Sequence, residues 1–445
     1  MRALTPRAIV FGAIVLLGAG VIAAALLLVN FSGTAPAERL DAIRTAATLM
    51  VGTGGAAALL LAARRQRSAE LTLAVQQKAA VDTKYDAAER RLTELYIKAV
   101  EQLGSDKAAV RLGGLYALER LADGNVEHRQ TVINLICAYL RMPYNPPDSV
   151  VRRMNAPSEA DPTLAKSLVG EGEKEGFQEG EVRIAAQRIL ADHLRPELRR
   201  DGAAAGPSGP SYWDGDLYLD LQDAILVNFN MDYCRINTAW FDGARFYGDT
   251  QFQFTVFVRE VSFREAVFDG GAWFNRSSFD WQSDFDESKF ISDAWFQGVV
   301  FERRAAFHDV TFGGNAMMQA EYRDGVSFSG SKFGGDTWFN RVVLKELVSF
   351  AAVHFMGVVN FEEAECAGGL DPDFTGALLS GSVDGVCTWP EGWTTRSFLD
   401  EEDGLEGLWR RLVRIKLPAA PSNEQHPGER GEREEGQEPH VPHVF

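Results

Sequence analysis

The sequence predicts a mixed fold: an N-terminal transmembrane helical hairpin, a small all-α cytoplasmic section, and a four-sided stacked coil of very short β-strands. Three observations carry this prediction. Two long stretches near the start lack charge, a third stretch places apolar residues at helical spacing, and bulky apolar residues then recur every five or six positions for about 145 residues. The 445 residues, 46% hydrophobic and 24% charged, exceed one ordinary domain and exclude collagen-like or wholly disordered organisation. Lys+Arg 45 against Asp+Glu 62 gives a net charge of -17, which repels a phosphate backbone, so no direct nucleic-acid binding is expected.

Residues 8–29 run without a charge, and at 1.5 Å per residue a helix there reaches about 33 Å, enough for a hydrocarbon core. Residues 46–63 form a second run, weakened by Thr48, Gly52, Thr53, Gly54 and Gly55, which leans on a helical neighbour. Arg2 and Arg7 precede the pair and Arg64, Arg65 and Arg67 come after it, so both termini are expected in the cytoplasm, with the protein in the cell membrane as a multi-pass chain. The competing reading is a signal cleaved near Ala35-Pro36-Ala37. The first run is long against the usual 7 to 15 apolar residues of such a signal, and the arginines after the second run would hold the remainder cytoplasmic in either case.

From Ser68 to Gly104 the chain has no proline and carries the stripe Leu92, Tyr96, Ala99 and Leu103, which predicts an amphipathic helix packed on its successors. Two shorter helices come next, one through Val110, Leu115, Leu118 and Leu121, the other through Val132, Ile133, Ile136 and Leu140. The segment RLGGLYALERLA from Arg111 to Ala122 resembles the inner part of armadillo or HEAT-type repeats; its Gly113 and Gly114 cost about 1 kcal/mol each unless close packing offsets them. Prolines and glycines between residues 145 and 180 predict a linker, and after it a short helix over Val182 to Leu194 on which His193 is half-buried.

The repeat then begins. Leu221, Leu226, Met231, Ile236, Phe241 and Phe246 are five apart, and from Phe252 to Phe312 the step alternates between five and six. After a less regular patch at Met317 and Tyr322 the pattern resumes at Phe328 and runs to Cys366. A second series, small or β-branched, lies two places earlier: Ala224, Ala239, Ala244, Thr250, Thr255, Val261 and onward. Residues two apart in extended chain point the same way, so each unit sends one large and one small side chain inward and then turns. Four such sides close a square coil of about 20 to 22 residues, and coils stacked at roughly 4.8 Å pile the phenylalanines into columns.

This pattern resembles the pentapeptide-repeat family, which implies a right-handed quadrilateral β-helix, the pentapeptide-repeat solenoid. Together with the hairpin and RLGGLYALERLA it is similar to membrane-anchored pentapeptide-repeat proteins of actinobacteria, a resemblance that implies no assigned reaction. The expected organisation is a hairpin at 1–67, a helical section at 68–144, a linker with one short helix at 145–210, the solenoid at 211–366, a C-terminal cap at 367–418 and a disordered tail at 419–445. Trp389 and Trp393 are expected to cover the last coil, and Leu405 to Leu417 carries apolar residues at helical spacing.

Nothing in the chain groups residues for chemistry. Cys137, Cys234, Cys366 and Cys387 lie far apart with no C-x-x-C, and the histidines include no H-E-x-x-H, so no catalytic residue, cofactor site or metal site is expected. His308 and His354 sit beside repeat centres and should face outward, while His440 and His443 fall in the tail. The function these features predict is non-enzymatic: a membrane-tethered scaffold that binds an unknown protein partner, with a homodimer possible. The alternative comes from quinolone-resistance relatives of the family, in which an acidic rod imitates DNA and occupies a topoisomerase. Acids outnumber bases two to one between residues 211 and 370, but Arg259, Arg264, Arg276, Arg303, Arg304 and Arg341 interrupt the negative charge.

Overall fold

The computed structural model describes residues 6–30, 36–147, 171–196, 213, 215–367, 371–398 and 409–415. They fall into two compact units, divided between Ile97 and Lys98.

The first unit holds α1 (Pro6–Asn30) and most of α2 (Pro36–Leu103). Both are long and apolar enough to cross a membrane. A Cβ on Gly20 would lie 2.4 Å from Thr53 Oγ1, so glycine is what lets α1 approach α2 there. Thr53 turns its hydroxyl back to the Leu49 carbonyl at 2.8 Å, leaving no unpaired donor in the contact. The buried residues are small ones, Ala13, Gly20, Ala24, Ala42, Ala46 and Ala57 among them, whereas Phe11, Ile22, Val51 and Leu59 are 62 to 77% exposed. That distribution inverts the packing of a water-soluble helix pair.

The second unit opens with the last turn of α2, then α3 (Ala108–Gly124), a 3-10 turn (Val126–His128), α4 (Arg129–Arg141) and α5 (Glu171–Leu194). Ala99 and Leu103 of the predicted stripe are buried. Gly114 justifies its place in α3, since a Cβ there would meet the Ala99 carbonyl oxygen at 2.7 Å; Gly113 has only Gln102 within 4.0 Å. The predicted linker needs correction at its end, because α5 begins at Glu171 rather than Val182. Gly176 does not break it: Pro147 packs where a Cβ would stand, at 2.7 Å, and Tyr144 Oη donates to the Gly176 carbonyl at 2.7 Å. Residues 148–170 and 197–210 of that predicted linker, and the predicted tail, lie outside the described residues.

The coil runs for about seven turns over residues 218–379. Its strands are two or three residues long and form four parallel sheets, one per side, in which each strand pairs with its counterpart one coil away. We number the sides in chain order, so Tyr218–Asp220 opens the first face, Ile225–Val227 the second, Thr250–Gln251 is the first strand of the third, and Arg235–Ile236 opens the fourth. Ala272 pairs with Ala294 on the third face and Phe279 with Phe301 on the fourth, a rise of one coil in 22 residues. Phe246, Phe268 and Phe290 stack at 4.5 and 4.6 Å along the second face, and Phe241, Phe263, Phe285 and Phe307 at 4.7 to 4.8 Å along the first. Rings on opposite faces meet edge to face across the core, as Phe263 of the first face meets Phe274 of the third at 88°.

The corners repeat as strictly as the core. Ala244 N–H donates to the Phe241 carbonyl at 3.0 Å, closing a turn whose third residue, Gly243, has φ +66°. At the matching place in later coils stand Glu265, Glu287 and Asp309, with φ from 55° to 60°, held left-handed by the pairing of the coils above and below.

Two features of the core differ from expectation. The irregular centre is Met318, fully buried, and not Met317, which is half-exposed. The step to Tyr322 is therefore four residues, and the coils around it shorten to 21, as Phe301 pairs with Tyr322. Tyr322 is buried with a hydroxyl that finds no partner among the described residues, and burial pushes its pKa well up. Tyr322→Phe should raise stability by about 1 to 2 kcal/mol, measured as a shift of the thermal or denaturant midpoint.

Past Phe361 the coil closes over Trp389, 5.7 Å from Phe355 and 6.1 Å from Phe374, and Trp393 lies 5.2 Å from Phe374, in keeping with the expected cover. The second face continues through Leu378–Ser380, which pairs antiparallel with Trp409–Arg414, itself paired with Trp393–Phe398. The helical spacing read from Leu405 to Leu417 is thus overridden where that segment is described. An open strand edge at Leu378–Ser380 offers backbone pairing, and Leu412, 4% exposed, takes an inward strand position.

Candidate functional site

The sequence predicts no catalytic, cofactor or metal residue, and the fold organises surfaces rather than a cleft. Two stand out: the helical cap on the first coil, and the four outer faces.

The cap is built from two glutamines and an arginine. Gln130 Nε2 donates to the Tyr218 carbonyl at 2.9 Å while its Oε1 accepts the Tyr218 N–H at 2.9 Å. Gln187 does the same for Val227, at 2.8 and 3.0 Å. A side-chain amide offers the donor and acceptor of a peptide group, so each glutamine stands in for the missing strand on an edge that would otherwise invite aggregation. Arg183, 1% exposed, donates to Glu179 at 2.8 Å and to the Leu140 and Met142 carbonyls at 2.9 and 2.7 Å. Glu179 also accepts from the Tyr139 hydroxyl at 2.8 Å and pairs with Arg111 at 3.0 Å. Burial first, then Glu179, pushes the Tyr139 phenol well above its ordinary value.

His193, read from sequence as half-buried, is 3% exposed. Its Nε2 lies 2.8 Å from Glu119 and its ring stacks on Trp213 at 4.1 Å, while Trp213 Nε1 donates to Asp123 at 2.8 Å. Helical periodicity placed His193 on the apolar face but could not reveal that residue 213 returns to cover it. The two coil histidines sit as expected beside the centres: His308, 32% exposed, donates from Nδ1 to the Asp286 carboxylate at 2.8 Å, and His354 is half-buried.

Burial holds the Cys137 and Cys234 thiols at about 12, so they are unreactive packed groups, and Cys366 is raised as well. Among the described residues no three His, Cys, Asp or Glu side chains gather in a way that could hold a metal ion. The grooves are shallow; one of about 310 Å³ lies where α5 meets the first coil, between Arg188, Arg195, Asn228 and Asn230.

The faces differ in charge. On the first, Arg264 reaches Asp284, Asp286 and Glu287 at 3.4 to 3.6 Å. On the fourth, Arg323 pairs with Glu302 and Glu321, and hydrogen bonds from Arg323 and Lys345 hold the Glu321 carboxyl below the usual range. The second carries Arg245 paired with Asp269, then Lys289 and Lys332. The third face alone is built of tryptophans and amides: Gln251, Trp273, Trp295, Met317 and Trp338 in one outward column, Gln253, Asn275, Gln297, Gln319 and Asn340 in the next. Trp273 and Trp295 stack at 4.7 Å, and Gln319 Nε2 donates to Asn340 at 2.6 Å.

Burial, with Lys332 nearby, lowers the His354 pKa below its ordinary 6.5. The fold therefore favours the neutral ring, the unfolded chain binds the proton more readily, and this site's contribution is present above pH 6.5 and lost as pH falls through the lowered value. His354 lies 5.6 Å from Trp409, so the strand Trp409–Arg414 should lose amide-exchange protection as pH falls below about 6.5, and His354→Gln should remove that dependence.

A family model described as pentapeptide repeats (9 copies) matches residues 241–281, about two coils of the structure. No curated protein and no solved structure matches the chain significantly.

Proposed function

We propose that the protein is a membrane-tethered, non-enzymatic interaction scaffold whose coil presents flat faces to protein partners. The carrying observation is the pairing of two spanning-length helices, large apolar residues outward, with a solenoid whose polar side chains spread over open faces rather than converging in a cleft. Arg64, Arg65 and Arg67, just after the second apolar run, support a cytoplasmic location for the helical section and the coil. DNA mimicry calls for a continuous acidic stripe; Arg264 inside the first-face acids and Arg323 and Lys345 on the fourth argue for the scaffold instead.

Proximity labelling from the native membrane tests this reading, with a coil-deleted chain as control. Neighbours recovered by the full chain and missing from the control are the expected result. An identical set from both would end the scaffold role, and release of the chain by alkaline carbonate would end the tether.

A further inference from the structure

The third face is the one whose two outward columns carry no formal charge over five coils, from Gln251 to Asn340, in a chain of net charge -17. It holds Trp273, Trp295, Trp338 and Met317, and no described residue accepts from the three indole N–H groups. Aromatic and Met enrichment with charge depletion is the signature of an interface core. Charge returns only at its two edges, and with opposite sign. The corner entering the face carries Asp249, Asp293 and Asp336, each accepting a backbone N–H from the next coil through Oδ1, at 3.2, 2.8 and 2.8 Å. The corner leaving it carries Arg276, exposed over the Phe254 ring at 5.5 Å, and Arg341, paired with Glu363.

We infer that this face binds the same face of a second copy, with the two coils side by side and parallel. A two-fold axis along the coil reverses the order of the columns in the partner. The tryptophan column of one copy then meets the amide column of the other, giving the indole N–H groups carbonyl acceptors at equal height. The carboxylate edge meets the arginine edge. A two-fold axis across the coil would instead set carboxylates against carboxylates, so the edge charges select the parallel arrangement. Every other face carries formal charge in its outward columns, Asp284 and Asp286 with Arg264 on the first, Lys289 and Lys332 on the second, and Glu302 and Glu321 with Arg323 and Lys345 on the fourth, so none of them offers an uncharged surface to its own copy. Five coils at about 4.8 Å, with a side of about four residues, give roughly 300 Å² of flat face per copy. That is small beside the roughly 800 Å² per partner of stable soluble complexes, so the pairing belongs to copies concentrated together.

The test uses the full chain in its native membrane and again in detergent micelles. A photo-crosslinking phenylalanine replaces Trp295, or in a second variant Gln297, and a differently tagged copy is co-expressed. The expected product is a crosslink between tags, mapping to residues 275–319 of the second copy. Arg276→Glu sets like charges against Asp249 and Asp293 of the partner and should lower the yield about tenfold. Asp249→Asn and Asp293→Asn, which keep the acceptor for the backbone, should restore much of it. An unchanged melting temperature shows that Arg276→Glu still folds. Crosslinks only within one chain or only to another protein, or a yield indifferent to Arg276→Glu, would overturn the pairing. The face is independent of the tether: a chain released by carbonate that still crosslinks in micelles sinks the membrane reading and leaves this one standing.

Discussion

Replacing Arg183 by methionine is expected to cost about 3 to 5 kcal/mol and to unfasten the helices from the first coil. The guanidinium is 1% exposed and closes the end of α4 by holding the Leu140 and Met142 carbonyls, while its Nε holds Glu179. Methionine fills much of the volume but donates nothing, so two carbonyls lose their donors and the part-buried Glu179 carboxylate keeps only Arg111 and Tyr139. Lysine would keep the charge and lose the fork, and should recover less than half of the loss. Hydrogen exchange locates the damage: the Tyr218 and Val227 amides, bonded to Gln130 and Gln187, should lose protection, while coils beyond Phe290 keep theirs. Uniform loss through the whole coil would mean that the cap does not act as a separate end piece.

The repeat was legible in the sequence because its physics is periodic. A buried phenylalanine every five or six residues and a small residue two places earlier leave a trace that no helix or ordinary strand produces, and Phe241, Phe263, Phe285 and Phe307 stack as that trace requires. Several placements that the sequence did not show share one cause, a partner far along the chain. Gln130 and Gln187 look like solvated helix residues until strands 88 and 40 residues away supply the backbone groups they bind. Gly176 reads as a break until Pro147 is seen to occupy its missing side chain. The segment at Trp409 reads as helix until the strand edge at Leu378–Ser380 is present to pair with it. The charge-free third face was hidden differently. Its tryptophans and amides are about 22 residues apart, and they become one surface only when the coil is wound.

Phe274→Ala should be the costliest change within the coil, about 3 to 5 kcal/mol. Phe274 is fully buried, stacked at 5.1 Å on Phe252 and 4.8 Å on Phe296, and edge-on to Phe263 and Phe285 at 5.7 Å. The loss is large because the site cannot collapse. The small residue Ala272 is fixed by parallel pairing to Thr250 and Ala294, so the walls stay in place around the space that the ring leaves. Phe274→Leu should cost only about 1 to 1.5 kcal/mol, since leucine already fills the same inward position at Leu221, Leu226 and Leu344. The two substitutions separate packing from mere apolar character, because both remain hydrophobic and only alanine empties the column. Denaturant midpoints measure the pair, and amide exchange places the loss: protection should fall around residues 250–296 and persist at the Gln187 cap, the converse of Arg183→Met. A cost below about 1 kcal/mol for Phe274→Ala would mean that the stacked rings are not what holds the coils together, and that the backbone ladders alone carry the solenoid.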